Sequence, residues 1–308
     1  MQVFSSRTQH QWLAEAPLLP VGDIPIVPVA PGVPQSEDPA LAEAKRALSD
    51  VLRCSNLVVL SGLGTSLCVQ PALQGGGKAP TMWDLWQQIQ AKQDAASIAV
   101  EPPGPTFIQL LKIVGYPQEK TDIEALMSRC RLADEVVKFV ALAEAHIIAA
   151  TNFVLQNHPL PVHTEFLRRV ARRPQRKSRM KIFTTNYDRC YEEAGRQGRY
   201  VVVDGFSHTA PPTFDAIHFT YETVRRLSDT DSFDPIPNSF LLYKLHGSVD
   251  WQRQEPSGEI TKWMQTGKPV LIYPRNSKYE LAFEQPYLEM ISAFQSAVRE
   301  PDTGILVV

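Results

Sequence analysis

The sequence predicts an α/β protein: a Rossmann-like parallel sheet with helices on both faces, a mainly helical insert, and an extended proline-rich arm at the N-terminus. Three observations predict it. Short, continuously apolar runs such as NLVVL (56–60) and FLLYKL (240–245) are what strands buried on both faces look like. They alternate with stretches of helical periodicity, the pattern of βαβ units. Three of the runs end in glycine, hydroxyl, amide or imidazole chemistry, and ligands of open parallel sheets sit beyond the carboxyl ends of strands.

Residues 17–39 carry prolines at 17, 20, 25, 28, 31, 34 and 39. Each removes an amide donor and clashes with a preceding turn, so no helix forms there. The stretch reads as an extended arm, either disordered alone or strapped onto a neighbouring copy. A helix is predicted over 38–54, with Asp38 as cap, Pro39 in the first turn and an apolar stripe from Leu41 to Leu52. The run 56–60 is then a strand and 61–80 a loop. Thr81 and Asp84 form the ends of a capping box for a helix over 81–92. Residues 93–118 are interrupted by proline. Thr121 and Glu124 propose a second capping box for a helix over 121–130, and helical spacing continues over 133–157 and 163–173.

The pattern then switches. Strands are predicted at 180–188, 199–205, 240–247, 269–274 and 304–308, and helices at 186–197 and 284–300. The last strand reads as a central one, which would carry on into a loop and a helix. The expected division is arm 1–39, first part of the Rossmann-like domain 40–80, insert 81–175 and the remainder 176–308.

Bulk composition removes several function classes. A net charge of −2 gives no basic excess, so direct nucleic-acid binding is not expected. The basic run RRVARRPQRKSRMK (168–181) reads as a solvated helix end and loop, with a polyanion or partner contact as the other reading. The 4 cysteines are scattered with no C-x-x-C pair, so no zinc ribbon is encoded and a reducing cytoplasm is expected. There is no secretory signal pattern at the start and no apolar stretch long enough for a membrane span.

Three loops carry the chemistry. Ser61-Gly62-Leu63-Gly64-Thr65-Ser66 suits phosphates, because glycines let amides approach an anion and hydroxyls add donors. It also reads as a plain turn, and Leu67 stands where a dinucleotide fingerprint has its third glycine. GGGK (75–78) fails the P-loop pattern at Ala72 and Ala79. Thr185-Asn186-Tyr187-Asp188 offers an amide and a carboxylate; the amide suits sugar hydroxyls or a water, and either side chain suits a helix cap. His246-Gly247 places an imidazole at a strand end with a small neighbour. It reads as a structural histidine or as a general base with a ligand reaching the ring. Of the other histidines only His208, in DGFSH, lies near a strand end.

The order G-x-G-x-S, T-x-N-x-D, H-G, each after an apolar strand, resembles the sirtuin family of NAD-consuming proteins. Residues 272–290 and 122–130 are similar to its divergent bacterial branch associated with phage defence. The resemblance implies that Gly62, Gly64, Thr65 and Ser66 cradle the NAD diphosphate. It implies that Asn186 addresses the nicotinamide ribose and a catalytic water, with Thr185, Asp188 and Gly247 beside the nucleotide, and that His246 is the base. Leu63 replaces the usual alanine, and the two cysteine pairs of the deacylase zinc module are absent, so no metal is expected. NAD hydrolysis is therefore expected before deacylation or ADP-ribosyl transfer; a non-catalytic NAD- or ADP-ribose-binding assembly module is the third reading. The resemblance also implies a homo-oligomer, and a partner such as a HerA-type ring ATPase or an attached sensor domain.

Overall fold

The computed structural model describes residues 2–3, 11–12, 39–71, 77–101, 103–130, 136–174, 176–227, 232–262, 267–273 and 284–308. The proline-rich arm (17–38), part of GGGK and most of the family-like stretch after Tyr273 lie outside the described residues. The chain divides into two units, Met1–Cys54 and Ser55–Val308. The first holds a two-residue antiparallel pairing and helix α1 (Pro39–Arg53), which begins on the proline whose fixed φ suits a first turn.

In the second unit the strands, in chain order, are β1 (Asn56–Ser61), β2 (Lys181–Thr184), β3 (Val201–Val203), β4 (Val224–Leu227), β5 (Ser232–Pro235), β6 (Ser239–Lys244), β7 (Gly247–Arg253), β8 (Ile260–Lys262), β9 (Lys268–Leu271) and β10 (Thr303–Val307). The helices are α2 (Met82–Ile98), α3 (Phe107–Ile113), α4 (Ile123–Cys130), α5 (Val137–Thr151), α6 (Pro161–Val170), α7 (Cys190–Gln197) and α8 (Tyr287–Arg299).

Five strands form one parallel sheet in the order β10-β1-β2-β6-β3. Strand alternation sends successive side chains to opposite faces. Phe183 of β2 and Tyr243 of β6 share the α8 face, stacked 4.5 Å apart, with Phe294 of α8 edge-on to Phe183 at 5.1 Å. Phe240 lies on the other face, where Tyr200, just after α7, meets it at 6.0 Å. Helices thus cover both faces, which is why β6 is apolar from Phe240 to Tyr243 and buried throughout.

The insert has a core of its own. Trp86, Phe107, Leu110, Met127, Phe139 and Ile147 are buried together, with Trp86 edge-on to Phe107 at 5.2 Å. Tyr187 and Tyr273 pack against that cluster, so the 185–188 loop rests on the insert.

Four expectations change. The strand expected at 269–274 is β9, which pairs antiparallel with β7 instead of joining the parallel sheet. β7 and β8 complete that three-stranded sheet, and neither was among the strands expected. The helix at 121–130 is capped by Asp122, whose Oδ1 accepts from the amides of Glu124 and Ala125 at 2.9 and 3.1 Å, not by Thr121. β10 stands at the edge of the described sheet and pairs with β1 alone. The Thr81–Asp84 capping box is present with both of its reciprocal bonds.

Candidate functional site

The parallel register sets the site. Ser61 is level with Thr184, and Thr184 with Lys244. The ladder continues one residue beyond the strands: the Thr185 amide donates to Ser61 O at 3.1 Å and the Leu245 amide to Thr184 O at 2.8 Å. The glycine loop, the Thr185–Asp188 loop and the His246-Gly247 turn therefore leave the same end of three adjacent strands.

Leu63–Thr65 forms a single 3-10 turn. The Thr65 hydroxyl donates to Gly62 O at 2.8 Å, so its oxygen accepts from the Ser61 hydroxyl at 2.9 Å; Ser61 in turn accepts from Tyr191 OH at 3.1 Å. Among the described residues, a Cβ added at Gly62 would meet only Thr185 Oγ1 at 3.8 Å, and one at Gly64 would meet nothing within 4 Å. Neither residue has the positive φ that favours glycine. Packing against the described residues does not explain two glycines here, and the space beside them is open.

Asn186 joins this loop to the next. Its Nδ2 donates to Gly62 O at 2.9 Å and Ser66 Oγ at 2.8 Å, with Thr65 Oγ1 at 3.3 Å. A carbonyl can only accept, so the amide nitrogen faces the glycine loop and Oδ1 points away from it. Ser66 passes the bond on, donating to Asp188 Oδ2 at 2.7 Å, and Asp188 Oδ1 accepts the Cys190 amide at 3.0 Å. Ser66 is 0% and Asp188 7% exposed, so both side chains are turned into the protein and hold the loops. Asp188 thereby serves the first amide of α7, although Arg189 occupies the cap position. Burial, followed by the charge of Asp188, pushes the Cys190 thiol up, so it stays protonated and is not a nucleophile.

His246 is partly exposed and follows Lys244 and Leu245 out of β6. Its backbone carbonyl accepts the Ile272 amide at 2.9 Å. Gly247 has φ +81°, and a Cβ there would lie 2.0 Å from Val270 O. The glycine is thus required by the close pairing of β7 with β9. The sequence had suggested ligand access to the ring as its reason.

Sequence reading missed the layer beneath. Lys244 ends β6 with a side chain 1% exposed. Its Nζ bonds the carbonyls of Tyr187 (3.4 Å) and Asp188 and lies 3.2 Å from Glu192 Oε1. The Ser248 hydroxyl also reaches Tyr187 O, at 3.3 Å, and lies 2.6 Å from Asp250 Oδ1. The only available signal was a lysine closing an otherwise apolar strand. Burial raises the Glu192 carboxyl, with Lys244 pulling against it. Glu192, Asp250, Asp204, Arg189, His208 and Lys262 line a cavity of about 850 Å³ beside α7 and β3. Burial alone would lower the Lys262 ammonium, but Asp204, Asp250 and Glu192 more than offset it and raise it.

Among the described residues no three His, Cys, Asp or Glu side chains converge as metal ligands, and no helix is long and apolar enough to cross a membrane. Residues 180–298 match the family model of the SIR2-like domain, a span that contains the Thr185–Asp188 loop and His246-Gly247. No curated protein matches the chain.

Proposed function

Taking residues 180–298 as a SIR2-like domain, we propose that the protein is an NAD⁺ hydrolase, cleaving the nicotinamide–ribose bond to give nicotinamide and ADP-ribose. The observation that carries this reading is the Asn186 amide joining its own loop to the glycine loop, with its acceptor oxygen turned away from the glycine loop. The diphosphate lies over Gly62 and Gly64, where among the described residues the one side-chain atom within 4 Å of an added Cβ is Thr185 Oγ1, 3.8 Å from that of Gly62. The amides that begin the 3-10 turn are not used inside it and suit an anion. Thr65, Thr185 and Gly247 border the nucleotide, while Ser66 and Asp188 act by holding Asn186.

Nicotinamide leaves as a neutral base: the C1′–N bond breaks and its electron pair cancels the pyridinium charge. The site must then stabilise an oxocarbenium-like centre and deliver water, a task for preorganised dipoles. Oδ1 of Asn186 accepts from a ribose hydroxyl or from the water. Water oxygen bonds to C1′ and His246 takes the released proton, a step worth about 10²–10⁴-fold. On the resemblance to the phage-defence branch, we read the activity as NAD depletion by an oligomeric effector. Purified protein given NAD⁺ should release nicotinamide and ADP-ribose without any acceptor. Release only with an acyl-lysine peptide or an acceptor protein would favour transfer, and binding without release would favour a sensing module.

A further inference from the structure

We infer that Lys244 is a positioning residue for the Asn186 loop, acting on its backbone; the inference rests on the hydrolase reading for its kinetic arm. Three acceptors surround the one ammonium: the Tyr187 carbonyl at 3.4 Å, the Asp188 carbonyl, and Glu192 Oε1 at 3.2 Å. An ammonium has three donors and no acceptor, so this set matches its whole capacity. At 1% exposure no solvent competes for those donors. The two carbonyls belong to the residues immediately after Asn186. Holding them fixes the two peptide planes that follow, Tyr187–Asp188 and Asp188–Arg189, and so anchors the chain directly after the residue whose side chain reaches Gly62 O and Ser66 Oγ. The same ammonium ties the loop to Glu192 in the first turn of α7. Lys244 also stands two residues before His246, so one strand end orients both proposed catalytic groups.

The competing explanation is plain charge balance, in which Lys244 only offsets a buried Glu192. The two differ in what a double substitution restores. Lys244→Met takes from the Glu192 carboxylate the ammonium 3.2 Å away and leaves Lys262 as the remaining cation acting on it, whereas Lys244→Met with Glu192→Gln removes the pair together. Two amides report on the loop without any substrate: Val249, which donates to Tyr187 O at 3.1 Å, and Cys190, which donates to Asp188 Oδ1 at 3.0 Å.

The experiment measures melting temperature, amide hydrogen exchange at Val249 and Cys190, and steady-state nicotinamide release for wild type, the single and the double variant. In the double variant the melting temperature recovers. Its two amides still exchange at least about 10-fold faster than in wild type, and kcat stays about 10²-fold down, the scale of a misplaced reacting group. KM moves by less than about threefold, because the loss is in the transition state. Recovery of kcat and of amide protection in the double variant overturns the inference, as does a folded Lys244→Met protein with wild-type exchange. If wild type releases no nicotinamide, the hydrolase reading fails and amide exchange alone decides the role of Lys244.

Discussion

The Ser66 hydroxyl donates to the Asp188 carboxylate across 2.7 Å, and the same oxygen accepts from the Asn186 amide at 2.8 Å. Residues 122 positions apart are thus joined in one directed line, Asn186 to Ser66 to Asp188. Ser66→Ala breaks both bonds and leaves a buried carboxylate oxygen unpartnered. It should cost about 2–3 kcal/mol of stability, as for hydrogen bonds to charged groups. Urea denaturation checks the magnitude; a cost near zero would mean the line carries no load.

Gly64 gives the opposite expectation. Nothing lies within 4 Å of a Cβ added there, and its backbone is not left-handed. Gly64→Ala should leave stability within about 0.5 kcal/mol of wild type, as surface changes do. If the diphosphate lies over this turn, the added methyl raises KM for NAD⁺ several-fold or more. Unchanged KM would remove the nucleotide from this loop.

Gly247→Ala must fail for a reason internal to the fold. A positive φ and a Cβ 2.0 Å from Val270 O combine backbone strain with a clash against β9. The expected loss is about 2–5 kcal/mol. Thermal unfolding of the purified variant, or its failure to accumulate as soluble protein, checks it.

His163 predicts a pH dependence. Its ring is 3% exposed, edge-on to Tyr191 at 5.4 Å, and neither ring nitrogen has a hydrogen-bond partner among the described residues. Burial holds its pKa below the ordinary imidazole value, with Asp188 pulling the other way. Above pH of about 6.5 the ring is neutral in both folded and unfolded chains, and its contribution is at its full value. As pH falls below that, the unfolded chain takes up the proton first, and stability drops until the folded-state pKa is passed. His163→Phe keeps the edge contact, removes the two unpartnered nitrogens and should raise stability by about 1 kcal/mol. The melting temperature of the variant should fall less between pH 7 and 5 than that of wild type. Parallel curves would show that His163 does not titrate on unfolding.

The parallel sheet was legible because its strands are buried on both faces, so Val58, Phe183 and Leu242 read as apolar whatever their direction. The three loops were legible only in combination: glycine or asparagine at one strand end is common, and it was their order with His246 after three apolar strands that stood out. The antiparallel sheet was not. In β7, Ser248, Asp250 and Gln252 alternate with Val249 and Trp251, and a short alternation after a glycine turn looks like a loop. Ser66 read as a ligand contact because a serine shows its chemistry in sequence but not the direction it faces, whereas the cap that Asp188 suggested is there, its carboxylate accepting the first amide of α7. Lys244 went unnoticed for the converse reason: a lysine is ordinarily a surface residue, and only the fold supplies the carbonyls and carboxylate that let it be buried.

The most direct test is the release of nicotinamide from NAD⁺ by the purified protein, measured beside Asn186→Ala and His246→Ala. Release is expected with no acyl or protein acceptor present. The His246 variant should be about 10²–10⁴-fold slower, the range for a lost general base, and the Asn186 variant at least about 10²-fold slower. Full activity in either variant would contradict the proposed mechanism.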